Sequence, residues 1–215
     1  MAIKFRAFVK RIVASASRRI EDARCNLHSC KERKSNRIIS ASANCAEKIR
    51  ATEEIFKSVY KTHRWGKSGD FFSGFGSMPE YVGGYVDYVK EFIKSQGIKS
   101  VVDLGCGDFL VGKLICQRGI AYTGVDVVGS LIQRNTKLHS SANIQFVKRD
   151  LIHENIPDGE LCLIRQVLQH LSNSAILTIL AKLKKYRYVL MTDEWVPHVN
   201  EKFNIDIPIG ECTRP

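Results

Sequence analysis

Glycines and carboxylates that suit the binding of a small molecule follow three apolar runs of the sequence. Gly105 and Gly107 come directly after the run 101–104, in a turn that reads Asp-Leu-Gly-Cys-Gly. Glycine at these two positions permits a tight turn and lets a ligand pass close to the backbone. Asp126 ends the second apolar run and Asp150 follows the third. Carboxylates placed there can accept hydrogen bonds from ribose hydroxyls and from an adenine amine.

The spacing of these residues favours recognition of a nucleoside over recognition of a pyrophosphate. Leu110 stands where the dinucleotide-binding fingerprint has its third glycine, so a pyrophosphate-binding turn is not predicted. Asp126 lies 19 residues after Gly107, near the distance at which such folds place a ribose-binding acid. Each acid alone is about as consistent with a helix cap or a turn. Three acids at successive strand ends, Asp103, Asp126 and Asp150, together indicate a ligand site.

The elements that must hold these residues alternate between strands and helices. Apolar runs of strand length are separated by segments with helical spacing, which indicates right-handed crossovers and a parallel sheet covered on both faces. We therefore predict an α/β protein with an open, doubly wound, mostly parallel sheet. The predicted strands are residues 101–104, 122–125, 144–147, 161–164 and 187–191, and the predicted helices are residues 77–97 with a capping box of Ser77 and Glu80, residues 110–118, a segment near Leu131 and residues 172–185.

From residue 51 to residue 215 the sequence resembles the class I S-adenosylmethionine-dependent methyltransferases. Residues 101–107 are similar to the first motif of that family, residues 124–126 to its ribose-binding strand end and residues 149–151 to its adenine-contacting segment. The resemblance implies a Rossmann-like methyltransferase fold with S-adenosyl-L-methionine as cofactor. The implied cofactor-binding residues are Asp103, Gly105, Gly107, Asp126 and Asp150, joined by Trp65, whose ring can stack on adenine or a sugar or else belong to the core.

A narrower resemblance concerns the acceptor of the methyl group. The segments that carry it are Trp65-Gly66, residues 73–77, residues 165–172, and residues 204–207 with Arg214 and Pro215. They resemble a bacterial subgroup found beside glycosyltransferases and glycan-building enzymes. This implies a cytoplasmic enzyme that methylates a sugar hydroxyl or another small, glycan-linked acceptor.

His170 is the candidate catalytic residue. Methyl transfer asks little of side chains, because the sulfonium is already activated and the enzyme mainly aligns the acceptor and excludes water. A hydroxyl acceptor additionally needs a base, and a histidine, with an ordinary pKa of about 6.5, suits that role. The alternative is a histidine that hydrogen-bonds a neighbouring loop. Asp193, Glu194 and His198 follow the fifth strand, but oxygen-rich loop ends are common, and no metal site is predicted.

Few residues follow the fifth predicted strand. Methyltransferases of this class usually add a sixth strand and an antiparallel seventh, so we expect the sheet to lack its last strands. An apolar edge at residues 189–191 would then be exposed unless a partner or self-association covers it. A degenerate methyltransferase that acts as a non-catalytic binding protein is therefore one alternative function.

Residues 1–50 form a basic N-terminal extension outside the resemblance. They hold thirteen of the 33 Lys and Arg residues but four of the 22 Asp and Glu residues, so most of the net charge of +11 lies here. Apolar residues recur at helical spacing from residue 3 to residue 20. The pattern fits a basic amphipathic helix on the inner face of an anionic membrane, a helix docked on the domain, or a presequence. The predicted organisation is this extension, a helical and loop-rich arm at 51–97 and a cofactor-binding domain at 98–215.

Composition excludes several classes of protein. No apolar run approaches the roughly 20 residues that cross a bilayer, and the seven dispersed cysteines indicate a reducing compartment without a disulfide framework. A nucleic-acid methyltransferase that grips its substrate with residues 1–50 is the other alternative function. Nucleic acid is nevertheless not the expected partner, because the fourth strand lacks the Asn/Asp-Pro-Pro-aromatic turn of many base-modifying enzymes.

Overall fold

The order of strands and helices follows the predicted alternation. The computed structural model describes residues 34–66, 71–193 and 205–212. Contacts divide the chain into two units, residues 1–49, of which the helical residues 34–49 are described, and residues 50–215, which hold the sheet. The helices are α1 (Lys34–Lys61), α2 (Pro79–Gln96), α3 (Leu110–Ile115), α4 (Gly129–His139) and α5 (Asn173–Lys182), and the strands are β1 (Ser100–Leu104), β2 (Ala121–Asp126), β3 (Ile144–Lys148), β4 (Leu161–Arg165) and β5 (Tyr188–Thr192).

The five strands form one sheet in the order β3-β2-β1-β4-β5, and all four pairings are parallel. Since β1 is central, the chain winds first towards β3 and then, from β4 onward, in the opposite direction. Doubly wound sheets hold ligands at such a reversal, beyond the carboxyl ends of the strands. The predicted fold, an open, doubly wound, parallel sheet of Rossmann-like order, is confirmed.

Side chains on both faces of the two central strands are buried. On one face, Val101 and Leu163 pack against α2, which buries a stripe of valines and an isoleucine at helical spacing. On the other face, Val102 and Ile164 pack against Ile179 of α5. Complete burial of such aliphatic side chains contributes about 1.5–3 kcal/mol each. The carboxyl ends of β1 and β4 are therefore held in a rigid core.

The capping box predicted at Ser77 and Glu80 is wrong. Helix α2 begins at Pro79 with Met78 as its N-cap, and no side chain caps it. The Ser77 hydroxyl instead donates to the carbonyl of Gly74 at 2.6 Å, across a short 3-10 turn. Proline at the first helical position already has the required φ and lacks an N–H that would need a partner, so the helix begins without a side-chain cap.

Two other helices end earlier than predicted. Helix α3 ends at Ile115, before Gly119, which adopts a φ of +81°. Helix α5 ends at Lys182 and is followed by a 3-10 turn, Leu183–Lys185. Its predicted cap is present, because the Ser172 hydroxyl accepts a hydrogen bond from the backbone N–H of Ala175 at 3.3 Å.

The edges of the described sheet are β3 and β5. Leu190 of β5 is buried, whereas its neighbours Val189 and Met191 are half-buried. Among the described residues, no helix is both long and apolar enough to span a membrane. The helix predicted at residues 3–20 lies outside the described residues, and so do Glu194, His198, Arg214 and Pro215.

Candidate functional site

A cavity of about 340 Å³ lies at the carboxyl ends of β1, β2 and β4, between those strand ends and the segment 71–77. This volume falls in the range of small-molecule sites. The structure places all the site residues predicted from the sequence along its wall. They are Trp65, Asp103, Gly105, Gly107, Asp126, Asp150 and His170.

The glycine turn after β1 is bonded to β2. The backbone N–H groups of Gly105 and Cys106 both donate to the carbonyl of Val125, at 2.8 and 2.9 Å. Gly105 has a φ of +77° and Gly107 a φ of +53°, in the left-handed region that favours glycine.

Side chains of other residues occupy the space beside these two glycines. A Cβ at Gly105 would lie 2.3 Å from Val167 Cγ2, and a Cβ at Gly107 would lie 2.3 Å from Ser73 Oγ. Gly107 was predicted to clear a path for a ligand. Its missing side chain instead makes room for Ser73, so the turn and the segment 71–77 pack directly together.

Asp126 lies at the end of β2 with its carboxylate against the glycine turn. One oxygen accepts from the N–H of Gly107 at 3.2 Å and the other from the N–H of Val128 at 3.0 Å. Burial raises the pKa of Asp126 to about 6 in spite of these bonds. Because a carboxylate has about four acceptor positions, Asp126 retains capacity to accept from a ligand in the cavity.

Asp150 has its carboxylate engaged by its own loop. One oxygen accepts from the backbone N–H groups of Ile152 and His153 at 2.7 and 3.2 Å, and the other lies 2.9 Å from the His153 ring nitrogen Nδ1. The residue is 1% exposed. Asp150 thus shapes the loop after β3, and its contact with an adenine amine stays a prediction.

Asp103 lies on the wall of the cavity that faces α2. Its carboxylate accepts a hydrogen bond from the hydroxyl of Tyr122. Burial raises the pKa of Asp103 to about 6, against the lowering effects of Tyr122 and of the positive charge of Arg165. Arg165 lines the same cavity from the end of β4.

Aromatic rings form part of the cavity wall. Trp65 contacts the rings of Tyr60 and His170, with centroids 5.2 and 5.1 Å apart. The indole nitrogen of Trp65 is buried and has no hydrogen-bond partner among the described residues. A buried donor without a partner is costly, and here it belongs to a ring that lines the cavity.

His170 is held by the segment 205–212. Its Nδ1 lies 3.2 Å from the carbonyl oxygen of Cys212, and its own carbonyl accepts from the N–H of Gly210 at 3.0 Å. A carbonyl oxygen only accepts, so Nδ1 carries the proton, and Nε2 accepts from the amide of Gln169 at 3.3 Å. His170 therefore makes the loop contacts of the structural alternative and also lines the cavity.

Several residues of the site were not anticipated from the sequence. Ser73 and Asp108 join the segment 71–77 to the glycine turn, and Gln166, at a φ of +54°, follows Arg165 at the end of β4. The ammonium of Lys182 donates to the carbonyls of residues 151, 152 and 154 at 2.7–2.8 Å, beneath the Asp150 loop. Ser73, Arg165 and Gln166 fall within the motif stretches 73–77 and 165–172, whereas Asp108 and Lys182 lie outside them. The partners of Ser73, Asp108 and Lys182 are distant in the sequence, so the motifs do not predict these contacts.

The described residues contain no group of three or more His, Cys, Asp and Glu side chains arranged to hold a metal ion. Of the residues considered for such a site, Asp193 is exposed after β5, and Glu194 and His198 lie outside the described part of the chain.

Solved structures that are similar to this chain are methyltransferases. N-methyltransferase NodS from Bradyrhizobium japonicum WM9, in complex with S-adenosyl-L-homocysteine, is 13% identical, and the match covers 61% of this chain and 68% of that one with a TM-score of 0.49. Magnesium protoporphyrin IX methyltransferase from Synechocystis PCC 6803 is 20% identical, with 62% and 67% covered and a TM-score of 0.44. The methyltransferase domain of bacterial CtHen1-C is 21% identical, with 50% of this chain and 63% of that domain covered and a TM-score of 0.43. Comparison with protein-family models and with curated protein sequences gave no match. At these identities the likeness concerns the fold.

Proposed function

We propose that the chain is an S-adenosylmethionine-dependent methyltransferase. The observation that carries the proposal is the convergence of the glycine turn, Asp126 and Asp150 on one cavity at the reversal point of the sheet. Doubly wound sheets bind nucleosides there, with the acid at the end of β2 against the ribose. The resemblance of residues 101–107, 124–126 and 149–151 to the family motifs supports the same cofactor.

The residues around the cavity fit this cofactor. Asp126 has acceptor capacity for ribose hydroxyls, and Trp65 offers an unpartnered indole N–H together with an aromatic face. Leu151 and Ile152 add an apolar surface beside Asp150 that suits an adenine ring. When bound, S-adenosylmethionine supplies an activated methyl group on a sulfonium.

The protein has to align the acceptor and exclude water. The segment 71–77 covers the glycine turn and is fixed to it by Ser73, and Trp65 and Tyr60 form an apolar wall. His170 Nε2 is the nitrogen that can take a proton from a hydroxyl, provided that the Gln169 amide turns away from it.

For the acceptor we propose a sugar hydroxyl or another small, glycan-linked molecule. Support comes from the resemblance of the stretches 73–77 and 165–172 to the bacterial glycan-associated subgroup. The aromatic wall at Trp65 suits the apolar face of a sugar ring. Under this proposal the enzyme works in the cytoplasm, and the basic residues 1–50 bring it to the anionic inner surface of the membrane.

A non-catalytic binding protein is the second candidate. The observation that favours it is the engagement of both ring nitrogens of His170, by Cys212 and by Gln169. A protein of this kind would bind the cofactor without transferring its methyl group.

Calorimetric titration with S-adenosylhomocysteine tests the proposed function. We expect saturable binding in the micromolar range, and absence of heat and of thermal stabilisation at millimolar ligand would refute it. Isotope-labelled S-adenosylmethionine offered with sugars, nucleotide sugars and glycolipid precursors then separates the two candidates. Binding accompanied by label transfer supports the enzyme, and binding without transfer to any of them supports the binding protein.

A further inference from the structure

Arg165 is the one lysine or arginine among the described residues that line the cavity. It is the last residue of β4 and is half-buried, whereas four aspartates line other parts of the wall. A single arginine in a cavity whose other charged side chains are aspartates calls for an explanation in terms of what the cavity binds.

The hydrogen bonds of Arg165 leave most of its donors available. Its guanidinium donates to the carbonyl of Gly76 and to the side-chain oxygen of Gln166, at 2.5 and 3.1 Å, and it lies 5.4 Å from the ring centroid of Tyr85. These bonds use two of five N–H donors, and both acceptors are neutral. Among the described residues no carboxylate lies within ion-pair distance of it. Burial of a guanidinium without a directly paired carboxylate is unfavourable. Burial lowers the pKa of Arg165, and the charge of Asp103 acts in the opposite direction.

Strand register places Arg165 on the same wall as Asp103. Asp103 pairs with Leu163 across β1 and β4, and Arg165 is two residues further along β4, on the same face of the sheet. This wall faces α2, and the central strand β1, which carries Asp103, lies between Arg165 on β4 and Asp126 at the end of β2. The guanidinium therefore lies away from the nucleoside end of the proposed site.

The turn around Arg165 is held in place by its surroundings. Gln166 adopts a φ of +54°, which is strained for a residue with a side chain and persists only where neighbouring contacts impose it. A Cβ at Gly76 would lie 2.7 Å from the Gln166 side-chain oxygen, so segment 71–77 packs tightly on this turn. The guanidinium is thus positioned before any ligand arrives.

We propose that Arg165 binds a carboxylate or comparable oxyanion inside the cavity. A planar guanidinium recognises such a group with two hydrogen bonds, and three of the five donors of Arg165 remain for this. The oxyanion comes either from the amino-acid part of the cofactor or from an acid group on the acceptor, which would then be an anionic sugar or a phosphorylated glycan precursor. The choice between these sources rests on the proposed function.

Ligand-binding measurements on four forms of the full chain distinguish the two sources of the oxyanion. The forms are wild type, Arg165→Gln, Arg165→Lys and Arg118→Gln. Arg118 is exposed and does not line the cavity, so its variant controls for the loss of one positive charge. The probes are S-adenosylhomocysteine, 5′-methylthioadenosine, which lacks the amino-acid part, and acetate or inorganic phosphate added to protein with and without S-adenosylhomocysteine.

If the oxyanion belongs to the cofactor, Arg165→Gln weakens binding of S-adenosylhomocysteine by roughly 10- to 100-fold and leaves methylthioadenosine unchanged. If it belongs to the acceptor, both nucleosides bind Arg165→Gln as they bind wild type, and acetate or phosphate stabilises loaded wild type but not the variant. Arg165→Lys should bind the affected ligand with an affinity between those of wild type and Arg165→Gln, because lysine keeps the positive charge but lacks the paired donors of a guanidinium. The inference is overturned if Arg165→Gln responds to every probe as Arg118→Gln does.

Chemical modification decides the matter even if the Arg165 variants fail to fold. Phenylglyoxal labels arginines, and mass spectrometry of wild type should show that S-adenosylhomocysteine or the oxyanions protect Arg165 while Arg118 stays labelled. Equal labelling of Arg165 with and without all probes would refute the inference. If S-adenosylhomocysteine does not bind at all, the proposed function fails, and the oxyanion probes still decide the role of Arg165.

Discussion

Ser73 and Asp108 exchange two hydrogen bonds across 35 positions of the sequence. The backbone N–H of Ser73 donates to the Asp108 carboxylate at 3.1 Å, and the backbone N–H of Asp108 donates to the Ser73 hydroxyl at 2.9 Å. The same hydroxyl lies 3.3 Å from that of Tyr60 and fills the space beside Gly107. One serine therefore joins helix α1, the segment 71–77 and the glycine turn. It fixes the segment 71–77 to the strand end on the other side of the cavity.

The first prediction concerns this serine. Ser73→Ala removes the acceptor for the Asp108 N–H, so we expect a loss of about 1–2 kcal/mol in the free energy of unfolding and a several-fold weaker affinity for S-adenosylhomocysteine. Denaturant unfolding and calorimetry measure the two effects. Ser95→Ala is the control, because Ser95 is exposed on α2 and its hydroxyl bonds its own helix. Equal behaviour of the two variants would show that Ser73 does not fix the segment.

The second prediction separates backbone strain from crowding in the glycine turn. Gly105 and Gly119 have nearly the same φ, +77° and +81°, but a Cβ at Gly105 meets Val167 at 2.3 Å and one at Gly119 meets nothing within 4 Å. Gly119→Ala should cost about 1 kcal/mol for the strained φ. Gly105→Ala should cost about 3 kcal/mol or more and abolish cofactor binding, since the half-buried Val167 packs against the core and has little room to move away from the turn. Similar melting temperatures for both variants would contradict this account.

Local patterns in the sequence predicted the frame of the site, and long-range contacts determined the rest. Strands β1 to β5 lie within about a residue of their predicted bounds because apolar runs and the acids or glycines that end them are neighbours along the chain. The Ser73–Asp108 pair and the Lys182 contacts join residues about 30 positions apart. No local pattern encodes such pairs. The same limit applies to Gly107: its sequence context predicts a glycine that lets a ligand approach, whereas in the structure the missing side chain makes room for Ser73.

The third prediction concerns pH. Burial raises the pKa of both Asp103 and Asp126 to about 6. The folded state therefore binds these protons more tightly than the unfolded state, whose aspartates titrate near 3.9. Each group contributes stability that is fully present below about pH 4 and is lost as the pH rises through about 6. The contribution is on the order of 2–3 kcal/mol per group.

The measurement compares unfolding of wild type and Asp103→Asn at pH 5 and pH 7. Wild type should lose more stability than Asp103→Asn between these values, because asparagine does not titrate. Binding follows the opposite trend at Asp126, since its ionised carboxylate is the better acceptor, so S-adenosylhomocysteine should bind more weakly below pH 6. If the stability of wild type and of Asp103→Asn depended on pH in the same way, the pKa of Asp103 would not be raised by folding.

The fourth prediction concerns the loop that carries Asp150. Lys182 Nζ donates to three carbonyls of this loop, so Lys182→Met keeps the apolar stem and leaves those carbonyls without their charged donor. We expect a loss of about 2 kcal/mol in stability and weaker binding of adenine-containing ligands. Lys184→Met, at an exposed neighbouring position, should stay within about 0.5 kcal/mol of wild type. Indistinguishable variants would mean that the loop keeps its shape without Lys182.

The fifth prediction separates the two roles of His170. The imidazole Nδ1 anchors the segment 205–212 through the Cys212 carbonyl, whereas Nε2 is the candidate base. An asparagine side chain can place its amide nitrogen near the position of Nδ1, so His170→Asn keeps the anchoring donor and removes the base. His170→Gln places its nitrogen nearer Nε2, and His170→Ala removes both functions.

If His170 is the base, His170→Asn should bind S-adenosylhomocysteine with wild-type affinity and melt at nearly the wild-type temperature, while methyl transfer falls by about 100-fold or more. His170→Ala should also lose stability, because the Cys212 carbonyl and the Trp65 ring lose their partner. Labelled S-adenosylmethionine and scanning calorimetry give the two readings. Full transfer by His170→Asn, with loss only in His170→Ala, would assign His170 to anchoring alone and leave the acceptor to be activated by another group at the cavity wall.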